Sequence, residues 1–519
     1  MAKNIFNSIQ LKKPKKNFFD LTHDVKLSCN MGELVPVLAL EAVPGDKFDL
    51  GCESIIRFAP MTAPVMHRMD VSIHYFFVPN RILWDNWENW ITNNGPTGTG
   101  TDNVWPFINL WNAWDTNAPD GKKLLDYLGL PTDFSSSITP VSVLPMAAYQ
   151  CIYNEYYRDQ NLIDPVDYKV EDGNNLLSWG RALELTTLRN RAWEHDYFTA
   201  ALPFAQKGAA VDIPLGQISE NAPIYRDSSS VTPTVLSGSP YSVTVAGSNS
   251  PTTSTDLFAA TGGMDIEPTT INDLRRAYRL QEWLEKNARG GTRYVESILS
   301  HFGVKSSDAR LQRPEYITGV KSPVVISEVL NTSGTFTSAD PSDPTSPPQG
   351  NMAGHGISVS SGQTGTYYCE EHGYIMGIMS IMPKTAYQQG IPRTFLKSDP
   401  LDYFWPSFAN IGEQEVQVQE LYAYTNNATD TFGYVPRYAE YKYMPSRVAG
   451  DFKTSLSYWH LGRIFDSEPT LSKDFIECDN SETSRIFAVT DPDSQKLYCH
   501  VLNKIKAVRP MPKYGTPTI

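Results

Sequence analysis

Three short stretches carry side chains of the kind that do chemistry. In WEHDYF, Glu194, His195 and Asp196 stand side by side, and these are residue types of general acid–base work. Neighbours in sequence, however, point to opposite faces of a strand and about 100° apart on a helix, so one substrate would not meet all three. His195 is therefore read as structural. CEEHG at residues 369–373 and YCH at 498–500 contain thiol, imidazole and carboxylate groups, but neither has the ligand spacing of a zinc finger or ribbon. GPTGTG at residues 95–100 is glycine-rich like a phosphate loop. It lacks the lysine and hydroxyl residue that complete one, and reads as an exposed turn. No G-x-S-x-G elbow and no HExxH pair occurs. The expectation is a protein without catalytic, metal or cofactor site.

The elements around these stretches are β-rich at both ends of the chain and helical between. Residues 69–92, MDVSIHYFFVPNRILWDNWENWIT, change period within one run. Met69, Val71, Ile73, Tyr75 and Phe77 alternate as on a strand, Phe76 and Val78 make the second face apolar too, and Pro79-Asn80 forms a turn. Beyond it Leu83, Trp87, Trp90 and Ile91 recur at helical spacing. A strand buried on both faces needs neighbours on both sides. Residues 33–43, 374–382 and 413–424 also read as strands, the last because Val416, Val418 and Leu421 suggest a half-buried edge. Strands so far apart in sequence imply antiparallel pairing, as in a sandwich or jelly roll. Tyr149, Ile152, Tyr153, Tyr156 and Tyr157 share one helical face. A second helix has Thr270 as N-cap, Leu274, Ala277, Gln281 and Leu284 on one face and Gly290-Gly291 as its stop. A third runs from about Tyr294 to Phe302 and ends at Gly303.

With 519 residues, the chain exceeds the roughly 250–300 residues that one core usually serves, so it holds several domains or one core with large insertions. Charged residues make up 19%, below the average of about 25%, while 27 Tyr, 22 Phe and 11 Trp are an aromatic excess. That balance suits wide protein contacts, where aromatics are enriched and charges depleted. The six cysteines are scattered without a CxxC pair, so reduced thiols made in a cytoplasm are expected. Neither a signal peptide nor a membrane-spanning stretch is visible. Residues 1–16 hold Lys3, Lys12, Lys13, Lys15 and Lys16, and residues 494–519 hold Lys496, Lys504, Lys506, Arg509 and Lys513, with no acid in either stretch. Removing those ten cations from 44 leaves 34 against 57 acids, so the body carries −23 of a total net charge of −13. Basic ends on an acidic body suit local phosphate contact. Residues 216–265 hold 17 Ser and Thr and one basic residue, Arg226, and residues 331–366 hold no Lys or Arg. Both read as surface loops, with a hairpin expected in the first around YSVTVAG at residues 241–247.

Long runs of this sequence resemble one family. FDLTHDVKLSCNMGELVPV, RFAPMTAPVMHRMDVSIHYFFVPNRILWDNWENWIT, YNEYYRDQNL, RAWEHDYFTAALPFAQKG, RGGTRYVESILSHFGVKSSDARLQRPEYITG, FGYVPRYAEYKYMPSRVAGDF and LNKIKAVRPMPKYG are similar to the major capsid protein of the Microviridae, small single-stranded DNA phages, most of all their gokushovirus-like branch. The likeness runs from about residue 17 to the C-terminus and fails mainly in the two Ser/Thr-rich segments. It implies a mainly β fold, an eight-stranded antiparallel jelly-roll barrel with large insertions. The implied organisation is a basic arm at 1–16 and one capsid domain at 17–519, with insertions at 81–190, 216–265, 268–320 and 331–366. It further implies sixty copies assembled through pentamers into a T=1 shell around circular single-stranded DNA, made in the bacterial cytoplasm. Expected partners are a small basic DNA-packaging protein, a scaffolding protein, a minor pilot protein and a receptor on the host surface. On this reading Lys12, Lys13, Lys15, Lys16, Lys504, Lys506 and Arg509 face the genome, with Phe18 or Phe19 available for stacking. Trp84, Trp87 and Trp90 approach neighbouring subunits. The segment bearing Arg226 and Tyr241 rises around the three-fold axes to meet the host. The alternative from another class is a β-rich carbohydrate-active or carbohydrate-binding protein with aromatics lining a sugar cleft.

Overall fold

A computed structural model of the chain describes residues 15–92, 104–110, 119–132, 139–175, 179–209, 211, 224–225, 236–239, 242–245, 258–259, 270–330, 352–362, 365–491 and 493–514. The chain divides into two compact units, the larger formed by Met1–Ala205 with Gly291–Ile519 and the smaller by Gln206–Gly290. In chain order the strands are β1 (Asn17–Asp20), β2 (His23–Cys29), β3 (Val35–Ala42), β4 (Lys47–Phe58), β5 (Met69–Pro79), β6 (Phe107–Leu110), β7 (Thr139–Ser142), β8 (Ile224–Tyr225), β9 (Leu236–Ser239), β10 (Ser242–Val245), β11 (Phe258–Ala259), β12 (Glu315–Pro323), β13 (Val325–Leu330), β14 (Met352–Ser361), β15 (Gly365–Tyr368), β16 (Gly373–Pro383), β17 (Glu413–Gln417), β18 (Thr431–Pro436) and β19 (Leu497–Arg509).

Two antiparallel sheets dominate the larger unit. One has seven strands in the order β1-β19-β4-β14-β13, with β2 also on β19 and β15 also on β4; the other has the order β12-β5-β16-β3. Chain ends meet in the first sheet, where Leu497 lies opposite both Cys29 and Phe58. The pattern that permits this is plain in β19. Leu497, Cys499, Val501, Ile505 and Ala507 are buried, while Tyr498, Lys504 and Lys506 alternate outward. Phe48, Leu50, Cys52, Ile56 and Phe58 of β4 join them, and both sets pack onto Val35, Val37, Val71, Ile73, Tyr75, Ile375 and Met379 of the other sheet in one core. Tyr75 Oη donates to Asn503 Oδ1 at 2.9 Å, and Asn503 Nδ2 donates to the Val37 carbonyl at 2.8 Å. This small network satisfies the polar atoms in the middle of the core, and burial pushes the Tyr75 hydroxyl far up.

The second face of the four-stranded sheet is covered as well. Phe76, Val78, Met376 and Ile378 pack with Trp84, Leu144, Ala148, Tyr149 and Ile152 in a separate core. That explains why β5 loses its alternation near its end. The helical layer comes from Asn80–Leu83 and from Leu144–Ile152, continued by a π-turn over Tyr153–Tyr157. Tyr149 Oη anchors that layer by donating to the Leu34 carbonyl at 2.8 Å.

The structure refines two expectations and corrects a third. Among the described residues the two sheets meet through side chains and no ladder closes them into a barrel, so they form a β-sandwich with a helical layer. The strand expected over residues 413–424 stops at Gln417, because Glu420 accepts the Gln417 backbone N–H at 3.0 Å and caps a turn of helix, Val418–Leu421. After Pro79 the helical spacing is split between Asn80–Leu83 and Trp87–Ile91.

In the smaller unit β8 pairs with β11 and β9 with β10. The β9–β10 ribbon is the expected hairpin. The helix Ile271–Gly290 begins where Thr270 Oγ1 accepts the Asp273 backbone N–H at 3.2 Å. Leu274, Ala277, Gln281 and Leu284 form its less exposed face.

Candidate functional site

Apart from His195, the side chains with chemical potential are drawn into separate structural tasks. Asp196 is buried and accepts from the backbone N–H groups of Phe198 and Thr199 at 2.8 and 2.7 Å and from Tyr387 Oη at 2.6 Å. His195 is exposed. Glu194 faces Lys321 at 2.9 Å and pairs with Lys384, and both lysines also reach Asp70 at 3.1 Å. Burial pushes the Glu194 carboxyl up, but the two lysine hydrogen bonds and charges overcome it and hold it down at about 2. A depressed carboxylate stabilises the fold above its ordinary value of 4.5, and that contribution is lost as pH falls towards about 2. Glu194→Gln is thus expected to lower the unfolding midpoint at pH 7 and to match the parent near pH 2; equal midpoints at pH 7 would contradict the pairing. In the other two stretches Cys369 is buried, Glu371 pairs with Arg81 at 2.9 Å, and His500 lies 3.1 Å from Asp24. Among the described residues no three metal-ligating side chains converge.

The tryptophans form one stack that grades from core to surface. Trp84 is 1% exposed and donates Nε1–H to Asp172 Oδ1 at 2.7 Å. Trp87 is half-buried and lies between Trp90 and His372, with ring centroids 5.6 and 5.7 Å away. Trp90 is 37% exposed. Only the outer members retain surface for a neighbour.

Several of the cations singled out in the sequence have partners inside the chain. Arg509 grips the fully buried Asp46 at 2.8 Å and stacks over Phe48. Lys504 pairs with Glu53. Lys506 is exposed and stands in register with Asp20 and Asp49. Lys16 Nζ donates to the Gly45 carbonyl at 2.7 Å and sits over the Tyr368 ring, whereas Lys15 is exposed. Phe18 is exposed, and Phe19 packs against the main core. Lys12, Lys13, Arg226 and Tyr241 lie outside the described residues, as does GPTGTG.

A larger feature escaped the sequence reading. Phe395, Tyr403, Phe404, Trp405, Tyr441 and Met444 are all exposed within fifty residues of one another. Lys397 Nζ lies 4.0 Å from the Tyr441 ring centroid, and Phe404 packs edge-on against Tyr438 at 5.0 Å. Its signal is the run YAEYKYM at residues 438–444, which follows β18 and lacks the alternation of a core strand.

The family model described as "Capsid protein (F protein)" matches residues 7–519. This chain belongs to that family. It is also 34% identical to "Capsid protein VP1" of Chlamydia phage 1, over all of this chain and 98% of the relative. Identity to "Capsid protein VP1" of Bdellovibrio phage phiMH2K is 35%, covering 96% of this chain and 94% of the relative. For "Capsid protein VP1" of Spiroplasma virus 4 it is 29%, with the same two shares.

A major capsid protein is a structural protein and not an enzyme. Its function is carried by surfaces: it must bind copies of itself and enclose a genome. Exposed aromatics, which would be a solubility liability on a solitary protein, are the expected material of such contacts. Glu194, Asp196, Cys369 and Glu371 belong accordingly to the scaffold that holds those surfaces in place.

Proposed function

We propose that this capsid protein is built on an eight-stranded jelly roll and assembles through pentamers into a T=1 shell of sixty copies around circular single-stranded DNA. The observation that carries the reading is the strand order. Taken as β2-β19-β4-β14 against β3-β16-β5-β12, the chain passes from one sheet to the other at β2–β3, β3–β4 and β4–β5. It stays for β12, then alternates through β14, β16 and β19, an order that supports a jelly-roll path. β1, β13 and β15 extend that frame.

One chain making two-, three- and five-fold contacts must be complementary to itself over much of its surface, and low charge with exposed aromatics supports this. The test is expression alone and with the natural assembly partners, which are a small basic packaging protein, a scaffolding protein and a pilot protein. Sedimentation and negative-stain microscopy should reveal pentamers and closed particles. A monomer that hydrolyses glycans would overturn the proposal.

The basic arm supplies the genome contact in this reading. Lys12, Lys13, Lys15 and Lys16 are its main cations, since Lys504 and Arg509 are matched by Glu53 and Asp46. Phe18 is the better placed of the two aromatics to stack on a base. Replacing the four lysines by Gln is expected to reduce the steepness of salt-dependent DNA release by roughly three, at about 0.7 per phosphate contact on a single strand. Unchanged packaging and unchanged salt response would remove the arm from the genome interface.

A further inference from the structure

A cavity of about 290 Å³ opens in the larger unit between residues 66–68, 384–386 and 446–460. Backbone hydrogen bonds pin its walls: Met66 N–H donates to the Trp459 carbonyl at 2.8 Å, Lys384 N–H to the Arg68 carbonyl at 2.9 Å, and Val448 N–H to the Tyr387 carbonyl at 3.2 Å. Among the described residues no acidic side chain lines it, although the chain as a whole carries −13. Three cations do. Lys384 is matched by Asp70 and Glu194. Arg68 and Arg447 are exposed, and among the described residues neither side chain has an ion-pair or hydrogen-bond partner.

The two histidines of the cavity are neutral and fixed. His460 Nε2–H donates to the Phe452 carbonyl at 2.8 Å while its Nδ1 accepts the Gly462 N–H at 2.9 Å, an arrangement that only the uncharged ring can make. His67 donates to the Lys384 carbonyl at 2.5 Å, and burial lowers it to about 4. The positive charge of the cavity therefore rests on two guanidinium groups, which are planar forks suited to phosphate oxygens. Beside them stand Trp459 and Phe452, with ring centroids 6.3 Å apart and planes inclined at 68°. Two guanidinium groups and two aromatic rings lining one space, at the small end of ligand cavities, fit a phosphate with one planar ring attached.

We propose that this cavity holds one nucleotide unit of single-stranded nucleic acid, its phosphate between Arg68 and Arg447 and its base against Trp459 and Phe452. The inference rests on the reading that the shell encloses a single-stranded genome, and it places a contact far in sequence from the basic ends. An inorganic phosphate site would use the arginines alone; a nucleotide site uses the rings as well.

The test is binding of a fluorescent ten-residue oligothymidylate to the full-length protein, followed by anisotropy at fixed salt. The double variant Arg68→Gln/Arg447→Gln, at two exposed positions, should bind at least tenfold more weakly with an unchanged unfolding midpoint. Trp459→Leu should weaken oligothymidylate several-fold while leaving the competition by inorganic phosphate unaltered. Parental affinity in the double variant would overturn the proposal. So would an abasic oligomer that binds as tightly as oligothymidylate, because the cavity would then be an anion site only. In purified particles, ultraviolet crosslinking should attach a nucleotide to the peptide containing Phe452 and Trp459. DNA-filled particles without that adduct would overturn the pocket and leave genome enclosure standing, whereas particles without DNA would overturn both.

Discussion

Trp84→Ala is expected to remove about 3–5 kcal/mol of folding stability, the range for truncating a large buried aromatic. The side chain is 1% exposed, and its indole N–H is matched by Asp172. Truncation would leave a cavity in the helical layer and strip the Asp172 carboxylate of one donor, although Asn86 Nδ2 also reaches it at 3.1 Å. Trp90→Ala is expected to behave differently. The ring is at the surface end of the same stack, 5.7 Å from Trp84, so its loss should cost about 1 kcal/mol, as for a typical point substitution. Particle yield should nevertheless fall. Chemical unfolding of the unassembled chain measures the first quantity and sedimentation of assembled material the second. A Trp90→Ala protein that is stable and assembles at the parental level would mean that the stack serves only the fold of one subunit.

The two substitutions separate what the sequence could and could not disclose. Switching from a two-residue to a helical period after Val78 was readable, because each local period is set by backbone geometry. So were the Thr270 cap and the stop at Gly303, whose φ is +68, since caps are local devices. Which tryptophan is interior was not readable. All three sit at apolar positions, and only the packing of the layer from Leu144–Ile152 onto β5 decides how deep each lies. The strand expected over residues 413–424 stops short for a related reason. Glu420 turns the chain there, and its carboxylate is held at 2.9 Å by both Tyr197 and Arg393, partners 223 and 27 residues away.

Charge was the least legible property. A cluster of basic residues at the C-terminus looked available for phosphate, yet Arg509 is matched by Asp46, 463 residues earlier. Breaking that pair would strand a buried carboxylate, so its first role is to close β19 onto the turn before β4. Arg68 and Arg447 stand in no cationic run, so nothing in the linear sequence marks them. They come to line one cavity because the backbone of Lys384 bonds to Arg68 and that of Tyr387 to Ser446 and Val448. In a shell protein the decisive groups are thus those that folding leaves unmatched, and a linear count of charges cannot find them.

Shortening residues 217–264 to a Gly-Ser bridge is expected to abolish most attachment to host cells while leaving the larger unit as stable as before. Among the described residues the hydrophobic clusters are built from side chains of the larger unit itself, which supports its folding without the segment. Loop closure argues the same way, because its entropy changes only slowly with length. The composition of 17 Ser and Thr within residues 216–265 gives an adaptable polar surface with little apolar area for a core. If the segment rises at a three-fold axis, three copies act together, and contacts too weak to hold singly add by avidity. Removing all three at once should then lower adsorption far more than any point substitution at Arg226 or Tyr241. Adsorption of purified particles to host cells, scored beside the unfolding midpoint of the unassembled chain, measures both effects. Parental adsorption by a shortened, assembled shell would transfer host recognition to another surface, with residues 331–366, the other segment poor in cations, as the next to shorten.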